Sequence, residues 1–399
     1  MTLQRRQILS FAALAPLLPA QAQAQTEAWV RTVRAAQGQT VYFNAWAGSE
    51  RINAYLQWAA AEVQRQFGIK LEHVKLADTA EAVKRVRAEK AAGRTEGSVD
   101  MVWINGENFL AMKREALLHG PFAESLPSFA AVDVLGKPTT RIDFSEPVEG
   151  FEAAWGMAQL TFYAEPARAG VPPQNVMELL DWAKRNPGRF TYPKPPQFHG
   201  TTFVKQVLVE SSPDRAALYK PYSADAFERQ VPALWVYLDQ LHPQLWRGGK
   251  QFPPSTTVMR QMLADGELFI ALTFNPNEVA NQIVAKTLPA TVQSFQFKGG
   301  TLGNTHFLAI PFNARAKDGA QVVINFLQSA PAQARKADIR HWGDPTVLAL
   351  EKLSAEQRAA FIDAGNVPGA VRQPQPVIPE PHGSWVDPLE AAWLRRYGV

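Results

Sequence analysis

The spacing of apolar and polar positions changes period several times over the first hundred residues. Val41–Ala45 reads as a first strand. From Ser49 the apolar positions recur at Ile52, Tyr55, Leu56, Ala59 and Val63, an amphipathic helix that Phe67-Gly68 closes. Ile69–Leu76 reads as a second strand, Ala80–Ala92 as a helix with a charged outer face, and Val99–Ile104 as a third strand interrupted only by Asp100. Helices alternating with strands in this way predict a parallel sheet with right-handed crossovers, an α/β fold. Asn105-Gly106 ends the third strand, and Glu107-Asn108 opens a helix through Phe109, Met112 and Leu117. Polar side chains thus collect where a strand's carboxyl end meets a helix's amino end, the place where open α/β sheets hold ligands.

The pattern continues less regularly. Leu126–Val148 is rich in loop residues, and Phe151–Tyr163 reads as one long strand. Val176–Asn186 is a helix stopped by Pro187-Gly188, Arg189–Tyr192 a strand, and Thr201 or Thr202 the cap of a helix through Phe203, Val207 and Leu208. Ala224–Leu241 reads as a helix bent at Pro232, and Ser255 caps the next one. The strand Leu268–Phe274 runs into Asn275-Pro276-Asn277, which caps a helix, and Thr291–Phe297 is a further strand. A glycine-rich loop, Gly299–Asn304, leads into the strand His306–Pro311, and Ala316–Leu327 is helical. Six prolines between Val367 and Pro388 keep that segment extended, the signature of a surface strap with no functional weight.

Residues 1–24 read as a signal peptide. Arg5-Arg6 precedes an apolar run, Ile8–Leu18, and the patterns Ala20-Gln21-Ala22 and Ala22-Gln23-Ala24 place cleavage near Ala22 or Ala24. Arg5-Arg6-Gln7-Ile8-Leu9 fits the core of a twin-arginine signal, although Gln4 and Ser10 depart from its flanks; an ordinary signal with a paired arginine is the alternative. The chain has no cysteine, so it has no disulfide, no thiolate chemistry and no lipid-bearing cysteine near the cleavage site. A soluble protein of the periplasm follows. The 399 residues exceed a single core and predict two domains. With 41 basic and 37 acidic side chains, and two of the basic ones in the leader, nothing draws the chain to nucleic acid or an anionic membrane. Eleven tryptophans are many, and some of those rings are available for recognition.

Six phrases, VYFNAWAG, VDMVWINGENF, FEAAWGMAQLTFY, YPKPPQFHGTTFVKQ, GELFIALTFNPNE and GNTHFLAIPFNA, resemble the YnjB-type extracellular solute-binding proteins. These are type II periplasmic binding proteins of ABC transporters, and the resemblance runs over roughly residues 38–395. It implies a two-lobed fold, each lobe a mostly parallel sheet flanked by helices, joined by two crossing strands at Phe151–Tyr163 and His306–Phe312. Residues 25–150 with about 307–399 form the first lobe and 151–306 the second. It further implies hinge closure on a small-molecule solute. Delivery then goes to an ABC permease driven by a separate ATPase, by a monomer without catalysis, cofactor or metal. Relatives with a similar first strand and aromatic loop bind polyamines, thiamine or iron. The adjacent tyrosines of the iron binders are missing here.

Several residues are candidates for contact with the solute. Trp46 ends the first strand, where similar polyamine-type binders stack an aromatic ring; packing on the following helix is the alternative. Asn105, Glu107, Asn108 and Phe109 offer two amides, a carboxylate and a ring, beyond what a helix cap needs. Glu152 and Trp155 open the first crossing and are expected on the cleft floor. Phe198, Thr201 and Thr202 lead into a helix whose free N–H groups would accept an anionic or carbonyl oxygen. Asn275, Asn277 and Glu278 repeat the strand-to-helix arrangement, and Asn304 stands in the glycine-rich loop. The carboxylates favour an organic cation, such as a thiamine-like or polyamine-like amine, and the helix ends tolerate an anion. The alternative from another class is a secreted hydrolase using Glu107 and Glu152 as a carboxylate pair.

Overall fold

The structure, a computed structural model, describes residues 20–361 and 367–398. The leader's Arg5-Arg6 and its apolar run lie outside them. In chain order the principal elements are α1 (Ala20–Ala36), β1 (Thr40–Trp46), α2 (Glu50–Phe67), β2 (Lys70–Leu76), α3 (Ala80–Ala91), β3 (Met101–Ile104) and α4 (Gly106–Arg114). There follow β4 (Glu152–Gln159), β5 (Thr161–Ala164), α5 (Val176–Arg185), α6 (Phe198–Ser211), α7 (Ala224–Gln230), α8 (Pro232–Leu241), α9 (Thr256–Ala264), β6 (Ile270–Thr273) and α10 (Glu278–Val284). The chain ends with β7 (Gln293–Phe295), β8 (Thr301–Ala309), α11 (Lys317–Leu327), α12 (Ala330–Ala337), β9 (Val377–Pro379) and α13 (Val386–Tyr397).

The larger sheet places β1 between β2 and β3, parallel to both. Beyond β3 lies β8, antiparallel to it, and beyond β8 lies β4, antiparallel again; β9 joins the opening residues of β8 in parallel. Successive residues of β3 belong to cores on opposite faces, Met101 with Phe43, Tyr55 and Val323, and Val102 with Phe109, Phe307 and Leu348. Two covered faces explain why β3 reads as an unbroken apolar run. Trp29, Val33 and Ala36 of α1 pack on the first of these cores.

The expected long strand at Phe151–Tyr163 is two strands in two sheets. β4 belongs to the larger sheet, and β5, beginning two residues after β4 ends, is the centre of a three-stranded sheet. That sheet departs from the parallel expectation, since β5 is antiparallel to both β6 and β7. It enters straight from β4, heading away from the cleft, whereas β6 returns toward it. Arg189–Tyr192, expected as a strand, does not pair as a ladder, although Phe190, Thr191 and Tyr192 are buried; Phe269 N and Ile270 N both reach the Arg189 carbonyl. β8 begins at Thr301, so Gly303 and Asn304 are in a strand rather than a loop. β4 and β8 cross side by side, and their register shifts between His306 and Phe307, leaving Trp155 without an opposite residue.

The end of the chain lies elsewhere than expected. Trp385, Leu389 and Trp393 are buried in the core of the smaller sheet with Phe162, Phe203 and Ile270, and Trp393 Nε1 donates to Tyr192 Oη at 3.0 Å. Grouping α13 with the first half of the molecule is therefore corrected. Its apolar face fits the side of α6 and α8, which a reading of proline density does not detect.

Candidate functional site

A cleft of about 730 Å³ opens between the two sheets. The ends of β1, β3 and β6, the middle of β8, the amino ends of α2, α4, α6, α9 and α10, and one side of α13 border it. Of the residues proposed from sequence, Trp46, Asn105, Glu107, Asn108, Phe198, Thr201, Asn275, Glu278 and Asn304 line this space.

At the start of α4 the cap comes from outside the helix. Gly106 N donates to Asp143 Oδ2 at 2.5 Å, and Asn105 makes no side-chain cap bond. Its amide is left to the cleft. Asn108 Nδ2 donates to Glu107 Oε1 at 3.0 Å. A rotation of about 100° per residue then carries the next position inward, and Phe109 is fully buried among Val102, Ile104 and Phe307. Phe109 is thus a core residue.

At the start of α6 the cap falls earlier than Thr201. The helix begins at Phe198, and Gln197 Oε1 accepts from His199 N at 2.8 Å and Gly200 N at 3.2 Å. Those two N–H groups are occupied and are not available to an oxygen of the solute. A Cβ at position 200 would stand 1.8 Å from the Pro193 carbonyl oxygen, and only glycine permits this approach. Thr202 is buried and donates to the Phe198 carbonyl at 2.8 Å, which removes it from the site. Thr201 Oγ1 donates to Glu390 Oε1 at 2.6 Å.

At α10 the polar groups serve the protein. Asn275 Oδ1 accepts from Asn277 N at 2.9 Å, and Asn275 Nδ2 donates to the Trp342 carbonyl at 3.3 Å. Asn277 Nδ2 donates to the Gly343 carbonyl at 2.7 Å, which turns it away from the cleft. Glu278 Oε1 pairs with Arg260 Nη1 at 2.8 Å. Arg51 donates to the carbonyls of Arg340 at 2.8 Å and Asn281 at 3.0 Å, tying α2 to α10.

The floor holds groups that sequence reasoning missed. His306 Nε2 lies 3.0 Å from Asp344 Oδ2, which also takes Lys336. Trp342 stacks on His306 at 6.1 Å with an interplanar angle of 14°, and Trp103 lies beside both. A Cβ at position 156 would fall 2.0 Å from Asp344 Oδ2 and 2.2 Å from His306 Nε2, so Gly156 on β4 makes room for this network. Burial opposes ionisation of Asp344, and His306 and Lys336 outweigh it, holding the carboxyl below its ordinary range.

Glu152 and Trp155 do not reach the floor. Glu152 is 1 % exposed, and neither of its oxygens has a hydrogen-bond partner among the described residues. Burial, reinforced by neighbouring Asp143, pushes its pKa well up. Trp155 is sealed behind the floor, with its ring centroid 5.0 Å from that of Trp103 and 6.0 Å from that of Phe43. The carboxylate pair required by a hydrolase is therefore not present as Glu107 and Glu152.

Burial lifts the pKa of Glu107 to about 7, against the pull of Lys205, and that of Glu390 to about 7, against its bond from Thr201. Burial lowers His199 to about 4, so its ring is neutral. Lys205 Nζ pairs with Glu380 Oε2 at 2.7 Å, both side chains nearly inaccessible. No local signal marks Glu390 or Glu380, since Thr201 and Glu390 are 189 positions apart. Among the described residues no three acidic or histidine side chains are grouped to hold a metal ion.

Residues 58–356 match the family model described as bacterial extracellular solute-binding protein. Protein YnjB of Escherichia coli (strain K12) is 48% identical over 375 residues, 93% of this chain and 94% of its own length. The spermidine/putrescine ABC transporter substrate-binding protein PotD from Streptococcus pneumoniae has a TM-score of 0.59 at 13% identity, covering 90% of this chain and 98% of its own. The periplasmic binding protein AfuA from Actinobacillus pleuropneumoniae, with fructose-6-phosphate bound, has a TM-score of 0.62 at 14% identity, covering 90% and 99%. Structures this distant share the fold alone, so the solute has to be read from the residues of this cleft.

Proposed function

Because the chain belongs to the bacterial extracellular solute-binding proteins, a non-catalytic family of ABC importers, we propose that it captures a small organic cation in the cleft and delivers it to a permease of the inner membrane. One observation carries the sign of the charge. The cleft's cationic side chains are already engaged within the protein, Arg260 with Glu278, Lys205 with Glu380 and Arg51 with backbone carbonyls. Among the described residues Glu390 has one carboxylate oxygen without a partner, and the Glu107 carboxylate takes the Asn108 amide and its own backbone N–H. Trp46, Trp103, Phe198 and Phe274 add ring faces that attract a cation.

Capture works by population shift. The strands β4 and β8 are the hinge, and solute favours the closed arrangement because residues from both sheets contact it. The signal segment is cleaved near Ala22 or Ala24 after twin-arginine export, leaving α1 on its core, and the mature monomer works in the periplasm. Native mass spectrometry of the mature protein tests the reading. The expected result is one organic cation of defined mass per chain, released unchanged. An anionic occupant, or product formation from the bound molecule, would overturn it.

A further inference from the structure

Glu107, Glu390 and Asn304 all line the cleft. Glu390, on α13, accepts from Thr201 through Oε1 and has no partner at Oε2 among the described residues. Glu107 stands near enough for its charge to raise the pKa of Glu390. Asn304, 4 % exposed, lines the same cleft from β8. Its Nδ2 donates to Glu380 Oε1 at 3.3 Å, and its Oδ1 has no partner among the described residues. Beneath this wall Glu380 also holds Lys205, whose ammonium lies 4.1 Å from the centroid of the Phe144 ring. The Lys205 ammonium is thereby paired with Glu380, and Glu390 Oε2 and Asn304 Oδ1 have no donor among the described residues.

A primary ammonium carries three N–H donors and no acceptor, which matches three acceptor oxygens. A quaternary ammonium or a ring cation without N–H donors would desolvate the same oxygens and leave them unpaired. We propose that Glu107, Glu390 and Asn304 form an ammonium subsite that takes the amine end of the solute, with the C-terminal helix supplying one of its two carboxylates. This rests on the cationic reading above and narrows it to amines with N–H donors. Binding at pH 7 moves a proton from a protonated Glu107 or Glu390 to the buffer, because the incoming charge favours the ionised carboxylate.

Calorimetric titration tests the assignment, with 1,4-diaminobutane, spermidine, choline, glucose 6-phosphate and succinate as probes. The proteins are the mature wild type and the variants Glu107→Gln, Glu390→Gln and Asn304→Ala, each checked for an unchanged unfolding midpoint at pH 6. An amine is expected to bind the wild type, and each glutamine variant to lose about tenfold or more in affinity. Wild-type affinity should rise about tenfold per carboxylate from pH 6 to pH 8, with proton release at pH 7 seen across buffers of different ionisation enthalpy. Both effects should vanish in the double glutamine variant. Amine binding indifferent to these substitutions, or tighter binding of choline than of either amine, would overturn the subsite and leave the cationic reading standing. Binding of the anions alone, or of no probe, would overturn both.

Discussion

Helices α4 and α10 begin in similar surroundings. Each follows a short buried strand and opens with asparagines and a glutamate, Asn105, Glu107 and Asn108 in one and Asn275, Asn277 and Glu278 in the other. At α10 the fold lays the carbonyls of Trp342 and Gly343 against the helix, and Asn275, Asn277 and Asn281 supply the donors these need. Arg260 takes Glu278. At α4 the fold brings a carboxyl instead, Asp143, which takes the amide of Gly106 and leaves Asn105 and Glu107 facing the cleft. The chemistry of the two ends is set by what packs behind them, acceptors in one case and a cap in the other. One end braces the molecule, and the other faces the cleft.

The sharpest way to break this contrast is to remove the support of the α4 end. Lys205→Met would strand the Glu380 carboxylate in a buried site, and loss of one partner of such a pair costs about 3–5 kcal/mol. Urea unfolding should register it; a loss below about 1 kcal/mol would mean that water reaches Glu380. The pH dependence of the solute-free protein comes next. Glu107 and Glu390 have pKa values of about 7, above the ordinary 4.5, so the native state binds more protons than the unfolded chain between those values. Their contribution to stability therefore falls as pH rises through that window. His199, lowered to about 4, works in the opposite sense, and its contribution is lost as pH falls from 6.5 toward 4. Calorimetry on the wild type and the double glutamine variant at pH 6 and pH 8 should show a drop in Tm at the higher pH that the variant lacks.

Smaller effects separate cap from brace. Asp143→Ala should cost about 1–2 kcal/mol as a lost helix cap and should weaken solute binding, because Asn105 is then drawn back to the helix amides. Retained affinity would show that Asn105 is not what the cap releases. Asn277→Ala at the other end removes one hydrogen bond to Gly343 and should cost about 0.5–1.5 kcal/mol with amine affinity unchanged by titration. A comparable loss of affinity there would erase the distinction between the two ends.

Much of the first half was legible because its signals are local. The residues predicted to face inward from α2, Ile52, Tyr55, Leu56, Ala59 and Val63, are all buried. The strands β1, β2 and β3 stand where they are expected, and the helix expected to bend at Pro232 is two helices, with Pro232 opening the second. Errors arose where a residue's partner is distant. The position of their strand suggests the floor for Glu152 and Trp155, but Trp155 falls at the register shift beside His306 and both side chains are buried. Thr201 read as a cap because threonine is a common one, whereas Gln197, a less favoured type, takes the role at a glycine pressed against Pro193.

By itself, then, the sequence determined the order of strands and helices, the exchange of periods that makes an α/β fold, and the placing of polar residues at strand ends. These follow from interactions over a few residues. Only the tertiary structure decided which of those polar residues remain available. That depends on whether a carbonyl, a carboxyl or an ion pair from far along the chain is packed against them, and a buried polar group must bond to whatever the fold supplies. It also decided that the last helix joins the cleft, since the contact of Glu390 with Thr201 spans 189 positions and leaves no periodic trace in either segment.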